Sequence, residues 1–264
     1  MRSCGAGILI HPTAIIDPAA DIGEGVEIGA YSIVGRGVSI GSGTVIGPHV
    51  VIRGTTRIGN DNRIFQFASV GEDPQDKKYR GETTALEIGD RNVIREFATL
   101  HRGTVQDKGV TRIGDDNLFM AYTHVAHDCV IGNRVIMANA ASLAGHVRVD
   151  DDAILGGFSL VHQFCRIGQY SFSAMGSVIS RDVPPYVMVG GRPTKPHGIN
   201  AVGLERNGFD SVAIRQIKKA YKIVYKTGFK LEEAIRLLEE MSEDGPELAC
   251  MVDFLRATGR SIIR

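Results

Sequence analysis

Isoleucine or valine occupies positions 22, 28, 34, 40, 46, 52, 58, 64 and 70, usually with glycine next, so apolar side chains recur every six residues. On an α-helix, residues six apart are rotated by roughly 240°, which would scatter the set around the cylinder and bury none of it. On extended segments joined by tight corners the same set lines one wall. The beat therefore predicts a parallel β-helix in which three hexads close one triangular coil of eighteen residues and each coil hydrogen-bonds to the next. It is picked up at Ile10 and Ile16 after a loose lead-in over residues 1–9, and becomes strict at Ile22. It returns from Ile113 to Ile179, where eleven of twelve beat positions are apolar and Ser173 is the exception.

Two residues before each large aliphatic stands a small or β-branched one, as at Val26, Ser32, Val38, Thr44, Val50 and Thr56, which is expected to point inward where the prism narrows. Cys129 and Cys165 share this phase and read as small interior fillers. Corners are supplied by residues that tolerate positive φ or bond their own backbone, as in Gly59-Asn60-Asp61-Asn62 and Gly114-Asp115-Asp116-Asn117. The beat breaks twice. Residues 72–87 are polar and hold no hexad; residues 102–112 form a second excursion, because Leu100 and Ile113 are thirteen apart and thirteen is not a multiple of six. Loops projecting from a rigid repeat commonly carry binding groups, so both are expected at the rim of a site.

Pro184-Pro185 is expected to end the coil, giving a β-helix over residues 1–190 and a small helical domain over 191–264. In that domain Asp210 or Ser211 caps a helix whose apolar face is Ile214, Ile217, Tyr221 and Val224 and which stops near Thr227-Gly228. A second helix covers about 230–242, and a third begins near Pro246.

Composition agrees with this picture and narrows the function. Among 264 residues there are thirty-two glycines and no tryptophan, as many tight corners require, and 43% hydrophobic content suffices for one large core or two domains. A formal net charge of zero argues against general binding to nucleic acid or to membrane surfaces. It hides one patch: Arg215, Lys218, Lys219, Lys222, Lys226 and Lys230 fall between Ser211 and Lys230 without an acidic residue, mostly on one helix face, which suits a solvated surface or an acidic partner. Cys4, Cys129, Cys165 and Cys250 show neither C-x-x-C spacing nor a dense framework, so free thiols in a reducing, cytoplasmic compartment are expected. The N-terminus lacks a signal-peptide core and no run of about eighteen apolar residues exists, so no membrane insertion is expected.

Five histidines gather in the middle of the beat: His101, His124, His127, His146 and His162. His127 lies one coil from Gly145 and two from Gln163, in one phase, so a residue without a side chain stands beside the imidazole. An imidazole facing an exposed backbone N–H supplies a general base and an oxyanion donor, the two parts that acyl transfer to a hydroxyl requires. No serine or cysteine is placed to form a covalent intermediate, so direct attack is the simpler chemistry. Asp128 can orient His127 only if a corner brings these neighbours together. A metal site needs about three converging ligands. His124 and His127 are an odd number of residues apart and diverge on a regular strand, which weakens that reading without removing it.

Several segments carry a resemblance over nearly the full length. They are Ile64-Phe65-Gln66-Phe67-Ala68-Ser69, Gln75-Asp76-Lys77-Lys78-Tyr79, Ile94-Arg95-Glu96, His101-Arg102-Gly103-Thr104, His124-Val125-Ala126-His127-Asp128, Leu143-Ala144-Gly145-His146-Val147, Val161-His162-Gln163-Phe164 and Asp182-Val183-Pro184-Pro185-Tyr186. With them the chain resembles the UDP-N-acetylglucosamine O-acyltransferases of lipid A biosynthesis, which are left-handed parallel β-helix proteins. The hexad alone is unspecific, being shared with other transferases and with metal-binding carbonic anhydrases; the histidine segments and helical tail carry the match.

The resemblance implies a homotrimer with active sites in the clefts between neighbouring coils. It implies transfer of an (R)-3-hydroxyacyl group from acyl carrier protein to the 3-hydroxyl of UDP-N-acetylglucosamine, the first step of lipid A biosynthesis, without a cofactor. His127 would be the general base and the Gly145 N–H the oxyanion donor, as the spacing suggests independently. Asp76 and Lys78, with His101, His124, His146, His162 and Gln163, would line the sugar and acyl cleft, and Asn200 and Arg206 would approach the uridine diphosphate. The basic helix, through Arg215, Lys218, Lys219 and Lys222, would receive the acidic carrier protein.

Two departures stand out. Where the family often has two adjacent arginines, Arg206 is followed by Asn207, leaving one cation fewer for the diphosphate. Met175 stands where some members have glycine; it lies 48 residues, or two and two-thirds coils, beyond His127. At about 4.8 Å per coil that is roughly 13 Å along the axis, an acyl chain of about ten carbons. Met175 is therefore expected either to close the far end of the acyl channel or to fill a gap between subunits. The alternatives to acyl transfer are a metal-dependent trimeric β-helix hydratase of carbonic anhydrase type and a non-catalytic trimerising scaffold.

Overall fold

Each hexad yields two residues of strand and then a corner, because only two residues per side can pair before the wall turns. The computed structural model, which describes residues 9–243, 245–258 and 261–264, stacks these short strands into three sheets of eleven, nine and eight strands, the walls of a prism. Cys4 and the start of the lead-in lie outside the described residues. The chain visits the walls in turn, beginning with Leu9–Ile10 on the first face, Ile15–Ile16 on the second and Asp21–Ile22 on the third, before Glu27–Ile28 pairs back in parallel on Leu9–Ile10. The expected column is present, with Val125 opposite Leu143 and Leu143 opposite Val161.

Beat positions from Ile28 to Val70 are all buried, whereas Ile10, at the open end, keeps 40% of its surface. The narrower phase fills the axis as expected, with Val26, Ser32, Val38, Thr44, Val50 and Thr56 buried. Cys129 and Cys165 are fully enclosed there, and burial pushes the Cys129 thiol up to about 12, the mark of an inert filler. Ser173, the polar beat position, is satisfied internally by Ser159 Oγ at 2.8 Å and the Gly156 N–H at 3.1 Å.

The three edges of the prism carry different chemistry. Between the third and first faces runs a polar ladder. Its corner carboxylates and amides accept the preceding coil's backbone N–H, as Asp90 does from Asn60 and Asp151 from Asn133. Inside it, Asn62, Asn92 and Asn117 bond one another at 2.9–3.1 Å. Between the first and second faces Tyr31, His49, Phe67, Phe97 and Tyr122 stack in sequence with ring centroids 4.8–5.3 Å apart, and Tyr31, Phe67, Phe97 and Tyr122 are exposed. The corners adopt left-handed backbone, mostly without glycine: Tyr31, Asp61, Arg134, His146 and Phe164 all have φ between 54° and 64°. Both loops leave the third edge, between the second and third faces. Pairing of Ser69–Glu72 with Thr99–His101 on the second face and of Ala85–Ile88 with Val110–Ile113 on the third extends the flanking strands, so the loops proper are 73–84 and 102–109, shorter than the breaks in the beat.

The chain leaves the prism differently from the expectation. After Pro184-Pro185 a further strand, Val187–Gly190, adds to the first face and turns back antiparallel into Lys195–Ile199. Position 190/191, the expected start of a helical domain, is thus the turn of a hairpin. A short helix α1 (Ala201–Arg206), which the periodicity did not reveal, follows. Helix α2 (Ser211–Lys226) is capped by Asp210, whose carboxylate accepts the Val212 and Ala213 N–H groups, and it buries Ile217, Ala220, Tyr221 and Val224. Helix α3 (Leu231–Ser242), a 3-10 turn over Pro246–Leu248 and α4 (Ala249–Arg256) complete the tail. The Tyr186 hydroxyl donates to the Glu247 carbonyl at 2.6 Å and the Ile263 N–H to the Asp182 carbonyl at 2.9 Å, stitching the tail to the last coil. Among the described residues no helix is long and apolar enough to cross a membrane.

Candidate active site

His127 and Asp128 form the corner between His124–Val125 on the second face and Val130–Ile131 on the third. Adjacent residues on a strand would point apart; here Asp128 takes φ 60°, and its carboxylate comes round to the imidazole, with Nδ1 of His127 2.9 Å from Oδ2. The Asp128 side chain is fully buried. Loop 102–109 supplies its other partners: the Thr104 N–H donates to Oδ1 at 2.9 Å and the Thr104 hydroxyl to Oδ2 at 2.6 Å. Burial opposes ionisation of Asp128, but the donors from His127 and Thr104 outweigh it and hold the carboxyl below its ordinary range. A carboxylate at Asp128 fixes the Nδ1–H tautomer of His127, which leaves the Nε2 lone pair as the free acceptor.

Gly145 occupies the same corner one coil on, and it is glycine for reasons of space. Its φ lies outside the left-handed region, but a Cβ there would stand 2.5 Å from Cε1 and 2.8 Å from Nε2 of His127. Its N–H has no acceptor among the described residues. The imidazole therefore abuts an unengaged amide, the pair of groups the spacing predicts.

Around this pair the corner is built of further rings. His146 stands edge-on to His127 with centroids 5.0 Å apart, stacks on Phe164 at 4.4 Å and places Nδ1 2.9 Å from Asp107 Oδ2. His101 and His124 are also edge-on, 5.1 Å apart, and Nδ1 of His124 bonds the Thr99 hydroxyl at 2.7 Å. Burial lowers both, His101 to about 4, with neighbouring imidazoles adding to the effect. His162 contacts the Gln163 carbonyl at 3.2 Å, and Gln163 follows Gly145 in the column. A cavity of about 420 Å³ opens on the Asp128 and His146 side, with Arg148 and Phe164 among its walls.

Not all expected residues meet here. Asp76 and Lys78 ride on loop 73–84 of the same edge, where the Asp76 carboxylate accepts the Lys78 N–H. Met175 lies on the edge between the first and second faces and is 78% exposed. Asn200 caps α1 and donates to the Tyr170 carbonyl, while Arg206 is exposed in the last turn of α1. Among the described residues no contact links Met175, Asn200 or Arg206 to the corner of their own chain. Arg215, Lys218, Lys219 and Lys222 are exposed on α2 without an ion pair among the described residues.

Three residues of loop 102–109 were given no role from the sequence, although Arg102 and Thr104 lie in one of the segments that carry the resemblance. Thr104 and Asp107 hold Asp128 and His146, and the buried Arg102 bonds Asp73, Tyr79 and the Gly71 carbonyl, tying the root of the other loop down. Their signal was the phase of the break, which places the loop on the His127 edge; which side chains turn inward was not countable.

His127, Asp128 and His146 are also the one trio among the described residues close enough for a metal, with candidate atoms within 4.8 Å. His127 Nδ1 and Asp128 already bond each other, His146 Nδ1 is engaged by Asp107, and both Asp128 oxygens accept hydrogen bonds from Thr104, so a cation would have to displace the contacts that shape the corner.

A carboxylate-held imidazole beside a bare amide, on a stacked hexapeptide prism with a helical tail, fits a β-helix enzyme of the hexapeptide transferase class. The family description "Bacterial transferase hexapeptide (six repeats)" matches residues 19–54 and 111–145, and "Udp N-acetylglucosamine O-acyltransferase; Domain 2" matches residues 182–263. The acyl-[acyl-carrier-protein]--UDP-N-acetylglucosamine O-acyltransferase of Halorhodospira halophila is 56% identical over 255 residues, 97% of this chain and 99% of that one, and the Stutzerimonas stutzeri protein of the same name is 56% identical over 256 residues. The solved structure of LpxA from Acinetobacter baumannii superposes with a TM-score of 0.95 at 49% identity, covering 97% of this chain and all of that one; the Francisella novicida UDP-N-acetylglucosamine acyltransferase does so with 0.95 at 41%, covering 97% and 94%. The chain belongs to the acyl-[acyl-carrier-protein]--UDP-N-acetylglucosamine O-acyltransferase family and is an O-acyltransferase.

Proposed function

We propose that this enzyme transfers an (R)-3-hydroxyacyl group from acyl carrier protein to the 3-hydroxyl of UDP-N-acetylglucosamine. The observation that carries the mechanism is the Asp128-held imidazole of His127 against the Gly145 amide. Nε2 of His127 takes the proton of the sugar hydroxyl as its oxygen bonds the thioester carbon. The carbonyl oxygen becomes an oxyanion facing the Gly145 N–H. Collapse breaks the carbon–sulfur bond, and the imidazolium returns its proton to the departing thiolate. Asp128 keeps the tautomer and stabilises the imidazolium without taking the proton.

The reading extends to a homotrimer. The exposed aromatic stack is an apolar stripe running along one edge, of the kind subunits cover. Met175, Asn200 and Arg206 all lie off the His127 edge of their own chain, so they reach a site only when a neighbouring protomer brings them. The roughly 13 Å ruler is then an intersubunit distance, with His127 from one protomer and Met175 from the next. Asp76, Lys78, His101, His124, His146, His162 and Gln163 line the cleft, and the unpaired cations of α2 receive the carrier protein.

The test is incubation of wild type and His127→Ala with UDP-N-acetylglucosamine and a panel of 3-hydroxyacyl carrier proteins, read by mass spectrometry. Wild type forms the hydroxyacyl ester and His127→Ala forms at least about a hundredfold less. A folded, fully active His127→Ala enzyme defeats the assignment of the base. In the same panel Met175→Gly shifts preference to longer chains; an unchanged preference removes the ruler.

A further inference from the structure

We propose that Thr104 is a positioning residue for the transfer reaction, setting the Asp128 carboxylate that orients His127. The inference rests on His127 as base and adds a residue from outside the corner. Asp128 is enclosed, so water cannot replace a lost partner, and three of its contacts are donors: the His127 ring N–H, the Thr104 N–H and the Thr104 hydroxyl. Thr104 reaches both oxygens at once, one through its backbone and one through its side chain. That fork fixes the plane of the carboxylate, and the plane fixes the direction in which Oδ2 meets Nδ1 of His127.

The backbone of Asp128 is pinned from the same side of the loop, its N–H donating to the Thr111 hydroxyl at 2.8 Å. Thr104 is itself 1% exposed, and Arg102, two residues earlier, is bound to Asp73 and Tyr79 of the other loop. The fork is therefore mounted on a braced segment. With the hydroxyl absent, Oδ2 keeps only the imidazole as donor and the carboxylate is free to rock about its remaining backbone contact. His127 then points less often at the reacting hydroxyl, while the surfaces that hold either substrate are untouched.

Steady-state kinetics of Thr104→Val and Thr104→Ser, with His127→Ala alongside, separate this role from a structural one. Valine preserves shape and the backbone bond but removes the hydroxyl; kcat falls about tenfold with KM for both substrates within about twofold of wild type. Serine restores kcat to within about twofold. A Thr104→Val enzyme with unchanged kcat, a loss confined to KM, or a loss that serine does not recover overturns the proposal. If His127→Ala alone retains activity, the base assignment fails first and by a different variant.

Discussion

Gly145→Ala probes the centre of the site with one methyl group. Because the Gly145 backbone is not in the left-handed region, alanine adds no conformational strain there, and the whole effect comes from where Cβ lands. It lands 2.5 Å from Cε1 and 2.8 Å from Nε2 of His127, whereas ordinary contact begins near 3.4 Å. The ring is only 14% exposed and is tethered through Nδ1 to a buried carboxylate, so it cannot swing aside without lengthening that 2.9 Å bond. A displacement of about 1 Å of a general base costs on the order of a hundredfold in kcat/KM, or about 2.7 kcal/mol of transition-state stabilisation. Alanine keeps its N–H, so the proposed oxyanion donor survives and the loss runs through His127. The double variant Gly145→Ala/His127→Ala should then be no slower than His127→Ala alone. Activity of Gly145→Ala within about threefold of wild type, or losses that multiply in the double variant, would refute the reasoning.

Three further predictions concern the scaffold and the surface. Asn92→Ala removes the middle rung of the interior amide ladder; Asn62 Oδ1 keeps the residue-92 backbone N–H, but the Asn117 backbone N–H and side-chain amide both lose their acceptor, so thermal unfolding should show a loss of about 2–4 kcal/mol with kcat preserved in the folded enzyme. His101, held to about 4 by burial, is neutral when folded but binds a proton near 6.5 when unfolded; its stabilisation is complete above pH 6.5 and is lost as pH falls toward 4. His101→Phe should flatten that acid limb by about 3 kcal/mol, and an unchanged slope between pH 6.5 and 4 rejects the account. Lys218→Glu/Lys222→Glu should raise KM for the carrier-bound donor at low salt and leave chain-length preference alone, while equal KM values would dismiss α2 as the docking face.

The prism was legible because its rule is arithmetic: residues eighteen apart share a wall, and the beat names them from Ile28 to Val70 and again from Ile113 to Ile179, on either side of the two loops. The same counting brought His127 beside Gly145 before any coordinate. Counting failed where side-chain direction or pairing outside the coil decides. The turn of Asp128 toward its neighbour depends on one left-handed residue, and the fork of Thr104 depends on a loop that keeps no beat. The hairpin of Val187–Gly190 with Lys195–Ile199 was hidden by a Gly-Gly-Arg-Pro turn that reads equally well as a linker. The coils between His127 and Met175 keep their eighteen-residue register, but counting coils does not say what an exposed Met175 faces.

The conformation of the corners has a consequence for how this enzyme can be altered. A left-handed residue with a side chain costs roughly 1–2 kcal/mol that glycine avoids, and glycine takes this conformation at some corners of the prism, as at Gly25, Gly37, Gly43 and Gly176. Elsewhere Asp128, His146 and Phe164 bear the penalty at the proposed site, and Phe67, Phe97 and Tyr122 bear it along the flank. Side chains such as Asp61, Arg134 and Ala140 take the same conformation at other corners, so a glycine scan around the prism would sort relief from loss: melting temperature climbing at idle corners, catalysis or assembly collapsing at occupied ones.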